Sequence, residues 1–437
     1  MALAVPARWG LVIRSGVDRF AIAVRSAPNL IVAPRDNARF ARDPGATATP
    51  THASARNQGR SRPLDADVAV VGVGGFGSAA LWRGALRGLR MLGFEQHEPG
   101  HALGSSHGES RVIRTAYFED ERYVPLVREA FGLWRELEAA TGTRLLTMTG
   151  ALMLGPPDSG VVAGTLASVR RHGLDHELLD TAALRTRFPQ HRVPDGTVAV
   201  HERAAGVLRP EDAVRAAAAA ATASGARLVS GVRVERVSDE GDCVVVSTAE
   251  RDYRVGRAVV TAGPWLGRLV PSLARVLQVE RQVQVWFAPG DVAAYSAGRF
   301  PVFIREVTAS HHVYGLPAMD GRTVKLAVHH EGEPADPDDV DRTVRPADVA
   351  PLSAYAGSAL AGVHPEPVRG AVCLYTNSPD EHFVVGSAPG NERVVVAGGC
   401  SGHGFKFSPV LGDIAIDLVS GGGTSRAIGL FDPARLG

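Results

Sequence analysis

The sequence predicts an α/β protein in which a Rossmann-like nucleotide-binding domain is joined to an α+β substrate domain with an antiparallel sheet. Three observations support this prediction. A G-x-G-x-x-G motif lies between an apolar strand and a helical segment within residues 67–98. A second buried strand pattern, 258–262, ends in Ala-Gly-Pro-Trp and looks like a later return to the nucleotide domain. Alternating strand patterns flank Asp320–Gly321, a favourable hairpin turn.

The nucleotide-binding prediction depends on four residues of the first segment. Gly72, Gly74 and Gly77 have the fingerprint spacing, and a second apolar run ends on Glu95. Gly72 would allow the tight turn, Gly74 the close approach of a pyrophosphate, and Gly77 the packing of helix on strand. Glu95 would accept hydrogen bonds from ribose hydroxyls. The motif alone leaves NAD, NADP and FAD open, and a glycine-rich turn in an ordinary βαβ unit is the structural alternative.

Composition indicates a globular protein without a nucleic-acid or membrane partner. The 437 residues are 45% hydrophobic and 21% charged, with a formal net charge of +1 and no apolar run of transmembrane length. Three widely spaced cysteines, Cys243, Cys373 and Cys400, favour a reducing, cytoplasmic compartment over a disulfide framework. They lack C-x-x-C spacing, so we expect no metal site.

Residues 1–62 are rich in Arg, Ala and Pro and contain few acids. We interpret them as a disordered extension or leader, with an organellar transit peptide as the alternative. The remaining chain is expected to alternate between two domains. The nucleotide-binding domain would comprise 63–147, 205–270 and 372–437, and the substrate-binding domain would comprise 148–204 and 271–371.

Periodicity and helix-start signals predict the other elements. A surface linker rich in Asp, Pro and Arg is expected at 335–350. The predicted helices are 123–140, 161–172, 210–223 and 409–418, and strands are expected at 227–237 and 243–248.

Lysine usage singles out two positions. Of the 47 basic residues, only Lys325 and Lys406 are lysines. Arginine cannot replace lysine where a compact ammonium or a shiftable pKa is needed, because its guanidinium is broad, planar and always charged. Lys406 lies in a glycine-rich strand-to-helix loop, where backbone N–H groups and a cation can meet an anion. Chance survival of two lysines is the alternative.

The hairpin around Asp320–Gly321 gathers polar side chains. A loop of two or four residues centred there pairs Tyr314 with Ala327 and Leu316 with Lys325. Polar groups on one sheet face are hard to bury without partners, which favours a lined cavity over a core. In this register, strand alternation places four polar side chains on one face: His312, Tyr314, Lys325 and His329. An odd-length loop would scatter them.

A basic cluster follows the fingerprint. If 109–115 form a helical turn, Arg111 and Arg114 are at i and i+3 and point the same way. With His107 they would suit an anion, either the flavin or a substrate carboxylate. A solvated basic face is the alternative.

Four segments, GSSHGESRVIR, YGLP followed by KLAVH, CLYTNSPDEHF and SGHGFKFSP, resemble the monomeric sarcosine oxidase family, which includes N-methyltryptophan and pipecolate oxidases. The resemblance extends from about residue 65 to the C-terminus. It implies an FAD-binding domain of the glutathione-reductase, hydroxylase-like class, with FAD as cofactor and an antiparallel substrate-binding sheet.

The resemblance also implies roles around the flavin. Cys373 matches the cysteine that bonds covalently to the cofactor, and Lys325 matches the lysine that assists reaction with dioxygen. Arg111 and His107 resemble groups close to the flavin ring. Further cofactor-binding positions in the matching segments are Ser106, Gly402 and Gly404.

On the substrate side, Arg114 and Lys406 match the pair that holds the substrate carboxylate. Tyr314 and His329 match residues that line the amine side of the pocket. Two positions depart from the family pattern: Cys400 stands where Phe is more common, and Gly386 replaces a usual acid. The N-terminal extension has no family counterpart.

The expected function is therefore oxidation of a secondary or N-methylated amino acid to an imine, with hydrogen peroxide formed from dioxygen. We expect a monomer. Two alternatives stay open. A related dehydrogenase would pass electrons to another carrier, which Lys325 disfavours. A non-enzymatic dinucleotide-binding protein is disfavoured by the converging Tyr, Lys and His side chains.

Overall fold

Two large sheets form the framework of the computed structural model, which describes residues 62–437. The extension predicted for 1–62 lies outside these residues, apart from Arg62. The strands are β1 (Ala66–Val71), β2 (Met91–Glu95), β3 (Arg111–Ile113), β4 (Leu146–Met148), β5 (Ala151–Gly155), β6 (Glu177–Leu179), β7 (Val198–Glu202), β8 (Gly206–Leu208), β9 (Arg227–Ser230), β10 (Val234–Asp239), β11 (Val244–Thr248), β12 (Asp252–Val260), β13 (Gln278–Pro289), β14 (Val302–Thr308), β15 (His311–Leu316), β16 (Val324–His329), β17 (Glu333–Pro334), β18 (Val363–Asn377), β19 (Val384–Ala388) and β20 (Asn391–Gly398).

Eight α-helices occur within the described residues: α1 (Gly75–Leu86), α2 (Val124–Thr141), α3 (Gly160–His172), α4 (Thr181–Arg187), α5 (Pro210–Ala223), α6 (Leu266–Leu269), α7 (Pro346–Ala359) and α8 (Ser408–Gly421). The four helices predicted from periodicity are confirmed as α2, α3, α5 and α8. None of the helices in residues 62–437 has the length and apolar character needed to cross a membrane.

The first sheet has a parallel core in the order β9-β2-β1-β12-β20. Val71 of β1 pairs with Val260 of β12, so the strand expected to return from a distant segment lies beside the fingerprint strand. β19 and the β10–β11 pair add antiparallel strands. Helix α1 follows β1 and packs against α5 and α8. This arrangement places the N-terminus of α1 at the carboxyl edge of the sheet, where α/β proteins bind nucleotides.

Buried charge fixes α1 against α8. The Asp413 carboxylate of α8 is 3% exposed and accepts hydrogen bonds from Arg83, Arg87 and Arg426 at 2.6–2.7 Å. Burial raises the pKa of Asp413, but the guanidinium groups of Arg83 and Arg87 outweigh burial and leave the pKa below its usual value. The nucleotide-binding helix is thus held by an ionised network as well as by apolar packing.

The second sheet has the order β17-β13-β16-β15-β14-β5-β7-β6. Strand β18, which lies outside this order, also pairs with β13. The hairpin prediction is confirmed, because Tyr314 pairs with Ala327 and Leu316 with Lys325. His312 pairs with His329, so the predicted face is correct as well. Strand β18 stays paired with β13 as far as Asn377, so residues 372–377 continue the antiparallel sheet beyond the domain boundary expected at residue 372.

Two local predictions were wrong. Residues 111–113 form strand β3 instead of a helical turn, since they pair with β8 in a small third sheet. The two arginines diverge, because Arg111 contacts Cys373 whereas Arg114, just beyond the strand, contacts Glu119. The linker expected at 335–350 ends early, because Pro346 occupies the first turn of α7, a favoured place for proline.

The departure at Gly386 has a packing explanation. A side chain built there would place its Cβ 2.5 Å from Pro433 Cδ. The C-terminal segment therefore occupies the space that an acidic side chain would need.

Candidate active site

A cavity of about 350 Å³ connects the glycine-rich turn after β1 with the loop after β20. Gly72, Gly74, Glu95 and Ser106 line one part of it, as expected for the cofactor-binding residues. The lining continues past Arg111 to Tyr375, and then to the last two predicted glycines, Gly402 and Gly404. The predicted nucleotide end thus shares one cavity with Arg111 of the predicted reactive end.

At the start of α1, Gly72 and Gly77 have no room for a side chain. Gly72 has φ +89°, a backbone conformation that favours glycine. A Cβ on Gly77 would lie 1.8 Å from Gly72 O, so only glycine permits this helix-to-strand contact. Gly74 is the N-cap of α1, and the first turn contains no acid. The helix N-terminus therefore retains its partial positive charge for an anion in the cavity.

Glu95 is buried beside that turn. Its carboxylate accepts hydrogen bonds from the N–H groups of Val73 at 2.9 Å and His97 at 3.1 Å, and His101 Nε2 lies 3.5 Å away. Burial raises the pKa of Glu95, but the interaction with His101 and the backbone N–H groups outweighs it and leaves the pKa below its usual value. Glu95 is therefore ionised at the cavity wall, as acceptance of hydroxyl hydrogen bonds requires.

Cys373 lies on β18 with its thiol among cationic groups. Arg111 Nη2 is 3.5 Å from the sulfur, and the thiol lies 3.6 Å from Ser105 O. Burial raises the pKa of Cys373, but His107 and Arg111 outweigh it and lower the pKa to about 6. The buried His107 Nε2 has no hydrogen-bond partner within residues 62–437. The site therefore stabilises a thiolate and retains a polar atom for a ligand.

Lys325 is 2% exposed and, within residues 62–437, bonds only to neutral oxygens. Its Nζ donates to Ser110 O at 2.5 Å, to Gly108 O at 3.0 Å and to Gln284 Oε1 at 3.4 Å. Burial, with Arg111 nearby, holds the pKa of this ammonium well below its usual value. A cation so held is sensitive to any negative charge that develops nearby.

Tyr314 and His329 form a neutral wall beside Tyr375. His329 Nδ1 lies 3.4 Å from Tyr375 Oη, and its ring centre is 6.3 Å from that of Tyr314. Burial lowers the pKa of His329 well below its usual value and raises the pKa of Tyr314. His312, on the same sheet face, instead approaches Glu306 at 3.7 Å.

Arg114 and Lys406 meet on the ring of Tyr117, with Arg114 Cζ 4.3 Å and Lys406 Nζ 5.1 Å from its centre. Arg114 Nη2 donates to both Glu119 oxygens at 2.6 Å, while its buried Nε has no partner within residues 62–437. Lys406 Nζ donates to His403 O at 2.7 Å. Burial, with Arg114 adding to it, lowers the pKa of Lys406 to about 7.

Several residues of this site were not singled out from the sequence. Glu119 holds Arg114, and burial of its carboxylate is outweighed by that guanidinium, so the pKa of Glu119 falls to about 2. The buried Glu202 accepts the N–H groups of Thr115 at 2.8 Å and Ala116 at 3.0 Å. Its segment carries no motif. Tyr375 lies in one of the resembling segments, which was the available signal.

The residues present at the two ends of the site fit a dinucleotide. The glycine turn and the N-terminus of α1 fit a pyrophosphate, and the ionised Glu95 fits ribose hydroxyls. At the other end, the thiol of Cys373 and the unpartnered His107 Nε2 fit a redox-active ring. These features define a dinucleotide-dependent oxidoreductase with a cationic reaction chamber.

Residues 67–418 match the model of the FAD dependent oxidoreductase family, to which the chain belongs. It is 41% identical over 374 residues to a monomeric sarcosine oxidase of Streptomyces avermitilis, covering 85% of this chain and 97% of that protein. It is 37% identical over 364 residues to an N-methyl-L-tryptophan oxidase of Salmonella typhi, covering 81% and 95%. The structure of NikD, an unusual amino acid oxidase, superposes with a TM-score of 0.76 at 28% identity, covering 84% and 97%. The sequence-based recognition and the predicted fold class are confirmed.

The crowding at Gly77 leads to a prediction. We expect Gly77→Ala to weaken FAD binding about tenfold to hundredfold, because overpacking costs about 1–3 kcal/mol and the clash is with backbone. The measurement is the flavin content per chain after purification, together with the midpoint of thermal unfolding. Gly132→Ala in α2 is the matched control, since a Cβ there meets nothing within 4 Å. Full flavin content in the Gly77 variant would contradict the proposed role of this glycine turn in FAD binding.

Proposed function

We propose that the protein oxidises a secondary or N-methylated amino acid, of the sarcosine, N-methyltryptophan or pipecolate type, and reduces dioxygen to hydrogen peroxide. The imine product would be hydrolysed by water to a carbonyl compound and an amine. The relatives named as sarcosine and N-methyl-L-tryptophan oxidases support the substrate class. FAD would supply the chemistry when bound, because its ring can accept the hydride equivalent that leaves the carbon next to the substrate nitrogen and pass the electron pair to an acceptor.

The observation that carries the proposal is the pair of buried cations, Arg114 and Lys406, on the ring of Tyr117. Arg114 and Lys406 lie on one ring, and the buried Arg114 Nε donor is without an acceptor in residues 62–437. A substrate carboxylate can supply that acceptor. Because Glu119 already occupies Arg114 Nη2, an incoming carboxylate competes with Glu119 for the guanidinium. The second oxygen of the carboxylate can reach toward Lys406.

The amine side of the pocket requires an uncharged environment. An amine is oxidised in its neutral form, which keeps its lone pair available. His329 and Tyr314 are both neutral, because burial lowers the pKa of His329 and raises the pKa of Tyr314. Together they offer polar contacts without a negative charge that would favour the protonated amine.

Lys325 supports dioxygen as the acceptor. Its ammonium is localised, buried and held by neutral oxygens, so it can stabilise negative charge that develops on oxygen. A dehydrogenase that delivers electrons to another carrier is the alternative. We also propose that the protein is a monomer, because two relatives are named monomeric sarcosine oxidase. The cytoplasmic location stays a prediction from the cysteine pattern.

The two lysines give a matched test of these roles. We expect Lys325→Met to slow reoxidation of the reduced flavin by oxygen about 100-fold or more, with a much smaller effect on its reduction by substrate. Lys406→Met should do the reverse and raise the KM for substrate. Stopped-flow absorbance measures both half-reactions after a peroxide assay with sarcosine, N-methyltryptophan, pipecolate and proline has identified the substrate.

Three outcomes of this test would contradict the proposal. Equal effects of Lys325→Met on both half-reactions would remove its assigned role. Flavin reduction without peroxide would favour the dehydrogenase, and purified protein without flavin would favour the binding protein.

We further propose that FAD is attached covalently through Cys373. The lowered pKa of about 6 supports this role, because the thiolate is the nucleophilic form. We expect acid precipitation of the purified protein to give a yellow pellet, and Cys373→Ser to give a colourless pellet with the flavin in the supernatant. Cys400→Ser is the control and should keep the yellow pellet, since burial raises the pKa of Cys400 to about 12. A colourless pellet from flavin-loaded parent protein would rule out the linkage.

A further inference from the structure

The turn at residues 108–110 lies between two oppositely charged side chains. On one side, Lys325 Nζ donates to Gly108 O at 3.0 Å and to Ser110 O at 2.5 Å. On the other side, Glu211 Oε1 accepts the N–H of Gly108 at 2.6 Å and the N–H of Glu109 at 3.0 Å. Glu211 is in the first turn of α5, 103 residues from Gly108. It is not among the residues assigned to the site so far.

One peptide group joins the two charges directly. The C=O of Gly108 and the N–H of Glu109 belong to the same peptide unit, and in a trans peptide they point in opposite directions. The carbonyl faces the Lys325 ammonium and the N–H faces the Glu211 carboxylate. The peptide dipole is therefore aligned favourably with both charges.

The turn is also strained, so its geometry needs support. Gly108 has φ +93° and Glu109 has φ +66°, which is uncommon for a non-glycine residue. A Cβ on Gly108 would lie 2.1 Å from Gln284 Oε1, the third acceptor near Lys325. The Glu211 carboxylate accepts both N–H groups of this strained pair and so holds it in place.

We propose that Glu211 is a positioning residue: its carboxylate and the Lys325 ammonium form an ion pair bridged by the Gly108–Glu109 peptide, which fixes the position and charge of Lys325. This inference rests on the proposed role of Lys325 toward oxygen. The charged and titratable groups whose electrostatic effect reaches Lys325 are Arg111, Cys373, Glu211 and Glu109. Cys373 loses its negative charge in the proposed linkage to FAD, and Glu109 is paired with Arg369 at 2.6 Å. Glu211 is therefore the anion left to favour the protonated lysine through the turn.

The chain is suited to a direct test, because it contains only two lysines. Lysine labelled with ¹³C at Cε gives two NMR signals in the FAD-loaded protein, and Lys325→Met assigns them. We expect Glu211→Gln to lower the titration midpoint of the Lys325 signal by about one pH unit, as removal of a nearby charge in a partly buried site does. The glutamine Oε1 can still accept both N–H groups, so the turn is preserved. The Lys406 signal is the internal reference and should not move.

Asp212→Asn is the matched control. Asp212 is in the same first turn of α5 and carries the same charge, but it bonds to the exposed Arg215 and not to the turn. We expect its effect on the Lys325 midpoint to be below about 0.3 pH units, because exposed charges are screened. Glu211→Asp keeps the charge and should hold the midpoint closer to the parent value than Glu211→Gln does.

The pH profile of flavin reoxidation provides the functional measurement. Its descending limb should move to lower pH in Glu211→Gln by the same amount as the NMR midpoint. An unchanged Lys325 midpoint, or an equal shift of Lys406, would overturn the inference. If the midpoint shifts but Lys325→Met reoxidises normally, the bridged ion pair stands and the proposed oxygen role of Lys325 is wrong.

Discussion

The junction between the two sheets contains more buried positive charge than its own carboxylates balance. Arg114 is paired with Glu119, but Lys325 and Lys406 bond only to neutral oxygens within residues 62–437. A buried ammonium without a carboxylate in direct contact is costly, and burial accordingly lowers the pKa of both lysines. Such a site favours any group that arrives with, or develops, negative charge. A substrate carboxylate arrives with negative charge, and dioxygen develops negative charge as it is reduced.

The two sheets supply different parts of this arrangement. The parallel sheet places the N-terminus of α1 and Glu95 at its carboxyl edge, where they suit a dinucleotide. The antiparallel sheet uses strand alternation to bring Tyr314, Lys325 and His329 to one face. Strand β18 connects both parts, because Cys373 pairs with β13 while the following Tyr375 lines the cavity.

Local rules predicted much of the fold and part of the site. The fingerprint and the hairpin register depend on neighbouring residues, so glycine spacing and strand alternation were sufficient. The strand at 111–113 depends on pairing with β8, which local sequence does not encode. Glu211 looked like an ordinary helix-start acid, because its partner Gly108 is far away in the chain. Helix α7 was not predicted, because its first residues, including Pro346, were assigned to the linker.

The central claim, that excess buried positive charge recruits a carboxylate, can be measured with an inert anion. Binding of acetate and of neutral acetamide to the oxidised, FAD-loaded protein is measured by perturbation of the flavin spectrum. The measurements run from about pH 6 to about pH 9, because the pKa of Lys406 is about 7. We expect acetate to bind and acetamide not to bind, and the affinity for acetate to fall as the pH rises and Lys406 loses its proton. Equal binding of both compounds, independent of pH, would contradict this claim.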